Sequence, residues 1–269
     1  MSGILDSGFS PRRVVSLLPA MTDSMITLGL RRFLAGATDE CPLPEPADGV
    51  ARVGEPENPR IADIVGLRPD LILAGEETPS DSIDALTGAG LRIWRIVPRT
   101  VRQTLANLRD LVLLYASESA LQTVVWLDRA VDWLEGSRPE KNIRVFCPRS
   151  RVGPAENPSG WITMNGDTYT GDLLSLCGAE NVFRDRADGR YPLVTRDEVA
   201  AAAPEAILLP GGPFSFPPEE SAAILECLPE IPAAQAKRIF LVDGRLLFWA
   251  GTRVGEAIRT LPTLLIDGR

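Results

Sequence analysis

The 269-residue sequence contains no histidine. Without imidazole there is no Ser-His-Asp or Cys-His triad, and the commonest ligand of zinc and iron is missing. Enzyme chemistry would have to rest on carboxylates, thiols or the two lysines, Lys141 and Lys237. Cys41, Cys147, Cys177 and Cys227 stand far apart and form no C-x-x-C pair, so they read as four free thiols, in keeping with a reducing compartment. Cys41, next to Glu40, reads as a small buried hydrophobe rather than a metal ligand. Asp167 and Asp172 lack the further oxygen ligands of a calcium loop, and a helix cap at Thr170 or Asp172 is the better reading. Gly88-x-Gly90 lacks a third glycine and precedes a strand, so it is no phosphate loop. Neither catalysis nor a metal site is expected; the alternative is a hydrolase built on a carboxylate pair.

The remaining residues suit holding a ligand. Arg149 or Arg151 could grip an amide, carboxylate or phosphate by a forked contact. Trp161 and Tyr169 could stack on a flat ring while Asn165 bonds its periphery. Gly212 and Phe214 sit in a Gly-Gly-Pro-Phe loop that permits close backbone approach. Phe248 and Trp249 are adjacent, so both cannot face one core, and Trp249 is the expected exposed ring, with Arg253 close behind. Pro19, Ala20 and Met21 end the first apolar run and would offer backbone N–H groups and a Met surface.

Parallel α/β elements must position these residues. Arg13–Leu18 is an apolar, β-branched strand, followed by a helix capped at Thr22 or Asp23 and stopped by Gly29. Strands follow at Phe33–Ala37, Asp70–Ala74 and Leu91–Val97, with helices at Ile61–Leu67 and Ser80–Ala89. Asp39 to Arg60, with five prolines, reads as a long loop. The alternation resumes with strands Ile143–Phe146, Ala206–Leu209 and Arg238–Val242 and helices Thr170–Leu176 and Ser221–Cys227. Between the two sets lies the longest helical pattern, from Thr100 to Gly136. Within it Ala120–Glu135 would extend ~24 Å, enough for one rod linking two lobes. The expected architecture is α/β: two parallel-sheet, Rossmann-like lobes, residues 1–99 and 137–269, joined through 100–136.

A net charge of −8 argues against nucleic acid. No apolar run reaches the ~20 residues a bilayer span needs, so membrane insertion is not expected. Met1 to Arg13 shows no apolar core behind a basic start, so a cytoplasmic location is expected; a periplasmic or cell-surface one is the alternative if the true start lies elsewhere.

Four segments taken in order resemble the helical-backbone, or class III, substrate-binding proteins of ABC importers, in particular their vitamin B12-binding branch. They are Arg13–Asp23, Leu67–Leu73, Trp161–Phe183 with Asp172-Leu173-Leu174-Ser175-Leu176-Cys177-Gly178-Ala179-Glu180-Asn181-Val182-Phe183 at its core, and the pair Ala203–Leu209 and Val242–Arg253. The resemblance implies a non-catalytic protein holding a corrinoid, such as cobalamin or cobinamide, or a related metal chelate (siderophore or haem) in a cleft between the lobes. It also implies no covalent cofactor, and an ABC permease as partner, docked through one acidic residue of each lobe. Glu76 and Glu77, and Glu219 and Glu220, best match those positions. A cytosolic corrinoid- or tetrapyrrole-handling enzyme on the same scaffold is the rival reading.

Overall fold

A computed structural model describes residues 8–43, 49–137, 141–154, 158–212, 216–217 and 220–267. The chain divides into two compact units. One runs to Pro98 and takes in Arg102–Asp128 and Ala250–Thr252; the other comprises Arg99–Val101, Arg129–Trp249 and the chain from Arg253 on.

The first unit contains β1 (Val14–Ser16), α1 (Pro19–Thr27), β2 (Leu34–Ala37), β3 (Ala51–Arg52), β4 (Gly54–Glu55), β5 (Asn58–Pro59), α2 (Ile61–Gly66), β6 (Leu71–Ala74), α3 (Ser80–Gly88) and β7 (Ile93–Arg95). Then come α4 (Val101–Leu113) and α5 (Glu118–Gly136); α5 begins in the first unit and ends in the second. Five strands form one parallel sheet in the order β3-β2-β1-β6-β7. Every residue of β1, β2 and β6 is buried, which is why they read as unbroken apolar runs: a parallel sheet is covered on both faces. Val15, Leu17, Ile64, Ile72 and Leu86 share one core on this sheet.

The second unit continues with β8 (Ile143–Phe146), β9 (Ser150–Val152), β10 (Gly160–Ile162), α6 (Tyr169–Leu176), β11 (Ala179–Asn181), β12 (Leu193–Val194), α7 (Arg196–Ala202), β13 (Ala206–Gly211), α8 (Glu220–Cys227), α9 (Pro232–Gln235), β14 (Ile239–Asp243), α10 (Gly244–Phe248) and α11 (Val254–Asp267). A parallel sheet, β11-β8-β13-β14, is joined by an antiparallel one, β12-β10-β9. Two parallel-sheet α/β units with a long helix running from one into the other is the expected class.

Local departures have physical causes. The first helix starts at Pro19 rather than Thr22, because proline at the first helical position gives up no hydrogen bond there. The expected loop 39–60 carries the short strands β3, β4 and β5. The cap of α6 is Thr168, whose hydroxyl accepts from the Gly171 N–H. Thr170 instead donates to the Leu247 carbonyl at 2.8 Å. Asp172 does cap a helix, but a different one: its carboxylate accepts the N–H of Val101, the first residue of α4, at 2.7 Å.

Candidate functional site

In parallel α/β sheets ligands gather at the carboxyl ends of the strands, where loops leave the sheet. In the first unit β1 leads into α1. Pro19, Ala20 and Met21 are all buried, Met21 being 1% exposed, so Met21 presents no surface to a ligand. Its helical position turns it into the core, which corrects that expectation; the half-buried side chain of this turn is Leu18. Gly75, just past β6, makes room for it, since a Cβ there would lie 2.8 Å from Leu18 Cδ1. Glu76 is half-buried and Glu77 exposed. Burial, and then the nearby charges of Glu57, Glu55 and Glu77, raise the pKa of Glu40, so this edge of the unit is acidic.

In the second unit β8 delivers Cys147, Pro148 and Arg149. The Thr163 hydroxyl donates to the Cys147 carbonyl at 2.8 Å, and the Arg149 N–H donates to the Ile162 carbonyl at 2.7 Å, which fixes the turn against β10. The Arg149 guanidinium lies 4.9 Å from the ring centre of Tyr191 and 5.7 Å from that of Phe248. Arg190 lies 5.9 Å from the same Tyr191 ring. Such contacts set the cations against the ring faces, where the ring quadrupole attracts them. Beside them β14 ends in Asp243. Burial alone would raise its pKa, but the Arg245 side chain and N–H outweigh that and hold it low; the ion pair measures 2.6 Å.

Several expected site residues are placed elsewhere. Trp161 is 0% exposed and packs edge-on against Phe146, centroids 5.8 Å apart, inside the core of the second unit. It is a core residue, because its strand β10 turns it toward β8. Asn165 spends its amide on the backbone: it donates to the carbonyls of Arg186 and Gly189 and accepts from the Asp167 N–H. It ties a loop together instead of facing a ligand. Of the two adjacent aromatics, Phe248 is the half-buried one and Trp249, at 9% exposed, is buried. The expectation of an exposed Trp249 is therefore corrected: the turn after α10 points its indole inward, with Arg253 stacked 5.8 Å from the ring centre and paired to Glu256 at 3.5 Å. Arg151 donates to the Gly153 carbonyl. Gly212 has a φ of +75°, which suits the glycine, and is exposed. Tyr169 opens α6; its ring is buried and its hydroxyl meets no hydrogen-bond partner among the described residues. Phe214 and Glu219, and the side chain of Glu220, lie outside the described residues.

Sequence reasoning missed Arg190, Tyr191 and Phe248. The available signal was Tyr191 itself, an aromatic set between Asp188-Gly189-Arg190 and Pro192, in a stretch too polar to belong to a core.

No group of three or more thiol or carboxylate side chains placed to hold a metal occurs among the described residues. All four cysteines are free and buried, and burial alone pushes Cys147 and Cys177 up to about 12.

These features define a class of architecture, two parallel-sheet α/β units with a long helix running from the first into the second. No protein-family model matches the chain. Among individual proteins, it is 28% identical over 207 residues to the vitamin B12-binding protein of Yersinia pestis (strain Pestoides F), covering 74% of this chain and 69% of that one. Its fold matches the periplasmic vitamin B12 binding protein BtuF of Vibrio cholerae, with a TM-score of 0.80 at 22% identity, over 96% of this chain and 97% of that one. It also matches the periplasmic heme-binding protein BhuT in complex with two hemes, with a TM-score of 0.78 at 24% identity, over 96% and 98% of the two chains. These relatives are binding proteins by name, in agreement with a non-catalytic solute binder rather than the enzyme alternative.

The cytoplasmic expectation is overturned by the same comparison. The structural neighbours are periplasmic proteins, and that is the location the resemblance supports. The thiols misled for a physical reason: burial protects them in any compartment, so four free cysteines carry no information on redox surroundings. No helix among the described residues is long and apolar enough to cross a membrane.

Proposed function

We propose that the chain binds a corrinoid, or a chemically related metal macrocycle, non-covalently, and delivers it to an ABC permease. The observation that carries the reading is the Arg149 guanidinium within 4.9 Å of the Tyr191 ring centre and 5.7 Å of that of Phe248, at the carboxyl end of the second unit's parallel sheet. Those rings offer apolar faces to a macrocycle, and the guanidinium offers donors to its peripheral amides or carboxylates. Gly212 and the buried Tyr169 are the further candidates in this unit, and Glu76 and Glu77 are the candidates for permease docking in the first.

The choice of a corrinoid over haem follows from ligand chemistry. Proteins hold haem iron through His, Cys, Met or Tyr. This chain has no histidine, and its thiols and the described methionines Met21, Met25 and Met164 are buried, which leaves Tyr191, 38% exposed, as the accessible phenol in the cluster. A ligand that brings its own metal ligands suits the site better.

Titration with cyanocobalamin, cobinamide and haemin, followed by absorbance and calorimetry, tests this. The expected result is saturable corrinoid binding, weakened about tenfold or more by Arg149→Met through loss of a charge-assisted hydrogen bond. Binding of none of the three by the folded protein overturns the reading. Tight haemin binding abolished by Tyr191→Phe would move it to haem.

A further inference from the structure

The second unit carries another concavity, at the opposite edge of its sheet from Arg149. The residues around it begin strands instead of ending them: Ile143 opens β8, Gly178 precedes β11, and Glu205 and Arg238 precede β13 and β14. Its larger part is a trough of about 440 Å³, within the ~300–1,000 Å³ of small-molecule sites. Ile143, Leu176, Ile258 and Leu265 line it, and Trp133 and Ile266 stand at its lip, 71% and 61% exposed. Cys177 lines it as a buried, protonated thiol, a small apolar group in effect.

A second, more polar recess of about 280 Å³ shares Lys141, Ile143, Leu265 and Ile266 with the trough, and adds Asn142, Glu205 and Arg238. Over both parts the described charged lining residues are three cations, Lys141, Arg238 and Arg259, against one carboxylate, on a chain whose net charge is −8. That carboxylate is already engaged: Glu205 accepts from the Arg144 N–H at 3.0 Å and pairs with Lys141 at 3.5 Å. Arg238 donates through one terminal nitrogen to the Leu265 carbonyl, while its buried Nε has no hydrogen-bond partner among the described residues. A guanidinium with an N–H left unmatched keeps an unspent preference for an acceptor, and Arg238 brings that guanidinium to the lining of the recess.

We propose that this trough is a second binding site, for a small amphipathic anion: an alkyl or aryl body lying on Ile143, Leu176, Ile258 and Leu265, with a carboxylate or phosphate head held by Lys141, Arg238 and Arg259. Apolar walls alone would take any greasy molecule or a second copy of the chain. The cationic end selects an anion and sets the direction in which it lies.

The full chain is titrated with sodium dodecanoate, with dodecyl phosphate and with neutral 1-dodecanol, all below their aggregation limits, by calorimetry and by tryptophan fluorescence. One saturable site is expected for the anions, with the fluorescence response lost in Trp133→Phe while the heat of binding persists. Lys141→Gln and Arg259→Gln, both exposed positions, should each weaken the anions by about tenfold and leave dodecanol unchanged. Ile258→Trp should fill the trough and abolish binding, with a thermal melt showing that it folds. Equal binding of dodecanol and dodecanoate, or anion binding indifferent to both charge removals, overturns the proposal. So does sedimentation showing that the chain self-associates through Trp133 and that the anions have no site. Corrinoid titration of the same variants should be unchanged, so failure here is distinguishable from failure of the Arg149 site.

Discussion

Gly251→Ala is expected to loosen the first unit markedly although it adds a single methyl group. Gly251 is buried beside the start of α1. A Cβ built on it would overlap the Ser24 hydroxyl and lie 2.8 Å from the Ala20 carbonyl oxygen. The carbonyl is backbone and cannot swing aside, so either α1 or the 250–252 segment must move. The same shift breaks the bond from the Thr252 N–H to Ser24 Oγ, 3.0 Å, and disturbs the one from Ser24 Oγ to the Ala20 carbonyl, 2.7 Å. Overpacking costs ~1–3 kcal/mol and a disrupted buried hydrogen bond about 1, so a total of roughly 2–4 kcal/mol is expected. For a chain of this size that is a drop of roughly 5–15 °C in the transition of the first unit. Thermal melts and urea unfolding measure it, with hydrogen exchange of the α1 amides as a local readout. Ser24→Ala in the same chain should restore part of the loss by removing the closer obstacle, but not all, since the carbonyl remains. A Gly251→Ala protein melting within ~1 °C of the parent, with α1 amides equally protected, would refute the close packing of this segment on α1.

Other expectations follow from single interactions. Asp172→Ala removes the carboxylate that accepts the Val101 N–H and should cost ~1 kcal/mol, the usual worth of a helix cap, with Asp172→Asn losing less; thermal melts decide it. Arg186 binds Asp188 at 2.6 Å and Glu198 at 2.5 Å. Its guanidinium holds Asp188 down to about 2, and the Thr195 N–H together with Arg186 lowers Glu198. Depressed carboxylates stabilise the fold above their unfolded pKa, ~4, and cease to do so as pH falls toward about 2. Arg186→Met should therefore flatten the loss of stability on that acid limb in melts run against pH. The thiols should resist alkylation by iodoacetamide at pH 8 in the folded protein and react on unfolding, because all four are buried and Cys147 and Cys177 sit near 12.

The elements legible in the sequence are those whose pattern is continuous. β6 and β13 are wholly buried, so Leu71–Ala74 and Ala206–Leu209 could only read as covered strands. α5 kept its apolar stripe at Val124, Leu127 and Val131 over enough turns to be unmistakable, starting two residues earlier than its pattern suggested. The strands β9, β10 and β12 were not legible, because two or three residues show no period and are held by long-range pairing. Nor was α11, in which Pro262 interrupts the helical pattern without ending the helix. For the candidate site, the sequence singled out the turn at Arg149, which the structure places near Tyr191 and Phe248, since a strand followed by a cationic turn is local information. It chose Trp249 over Phe248 because which of two neighbours faces inward depends on how α10, capped by Asp243 on the Arg245 N–H, leaves β14, and that is tertiary information.

The course of the chain has a consequence for how the protein comes into being. The first unit is not finished by its own first hundred residues: it also takes in the stretch Arg102–Asp128 and then Ala250–Thr252, far further along the chain. A ribosome releasing this polypeptide from the amino end delivers the five-stranded sheet early, yet Thr252, which bonds to Ser24 of α1, follows it by 228 positions. Contacts so distant in sequence are slow to form, and until they do the N-terminal part stays incomplete. A fragment cut after residue 99 should then be a poor folder on its own, and the N-terminal part of a nascent chain should stay loosely held until the segment Ala250–Thr252 has been made.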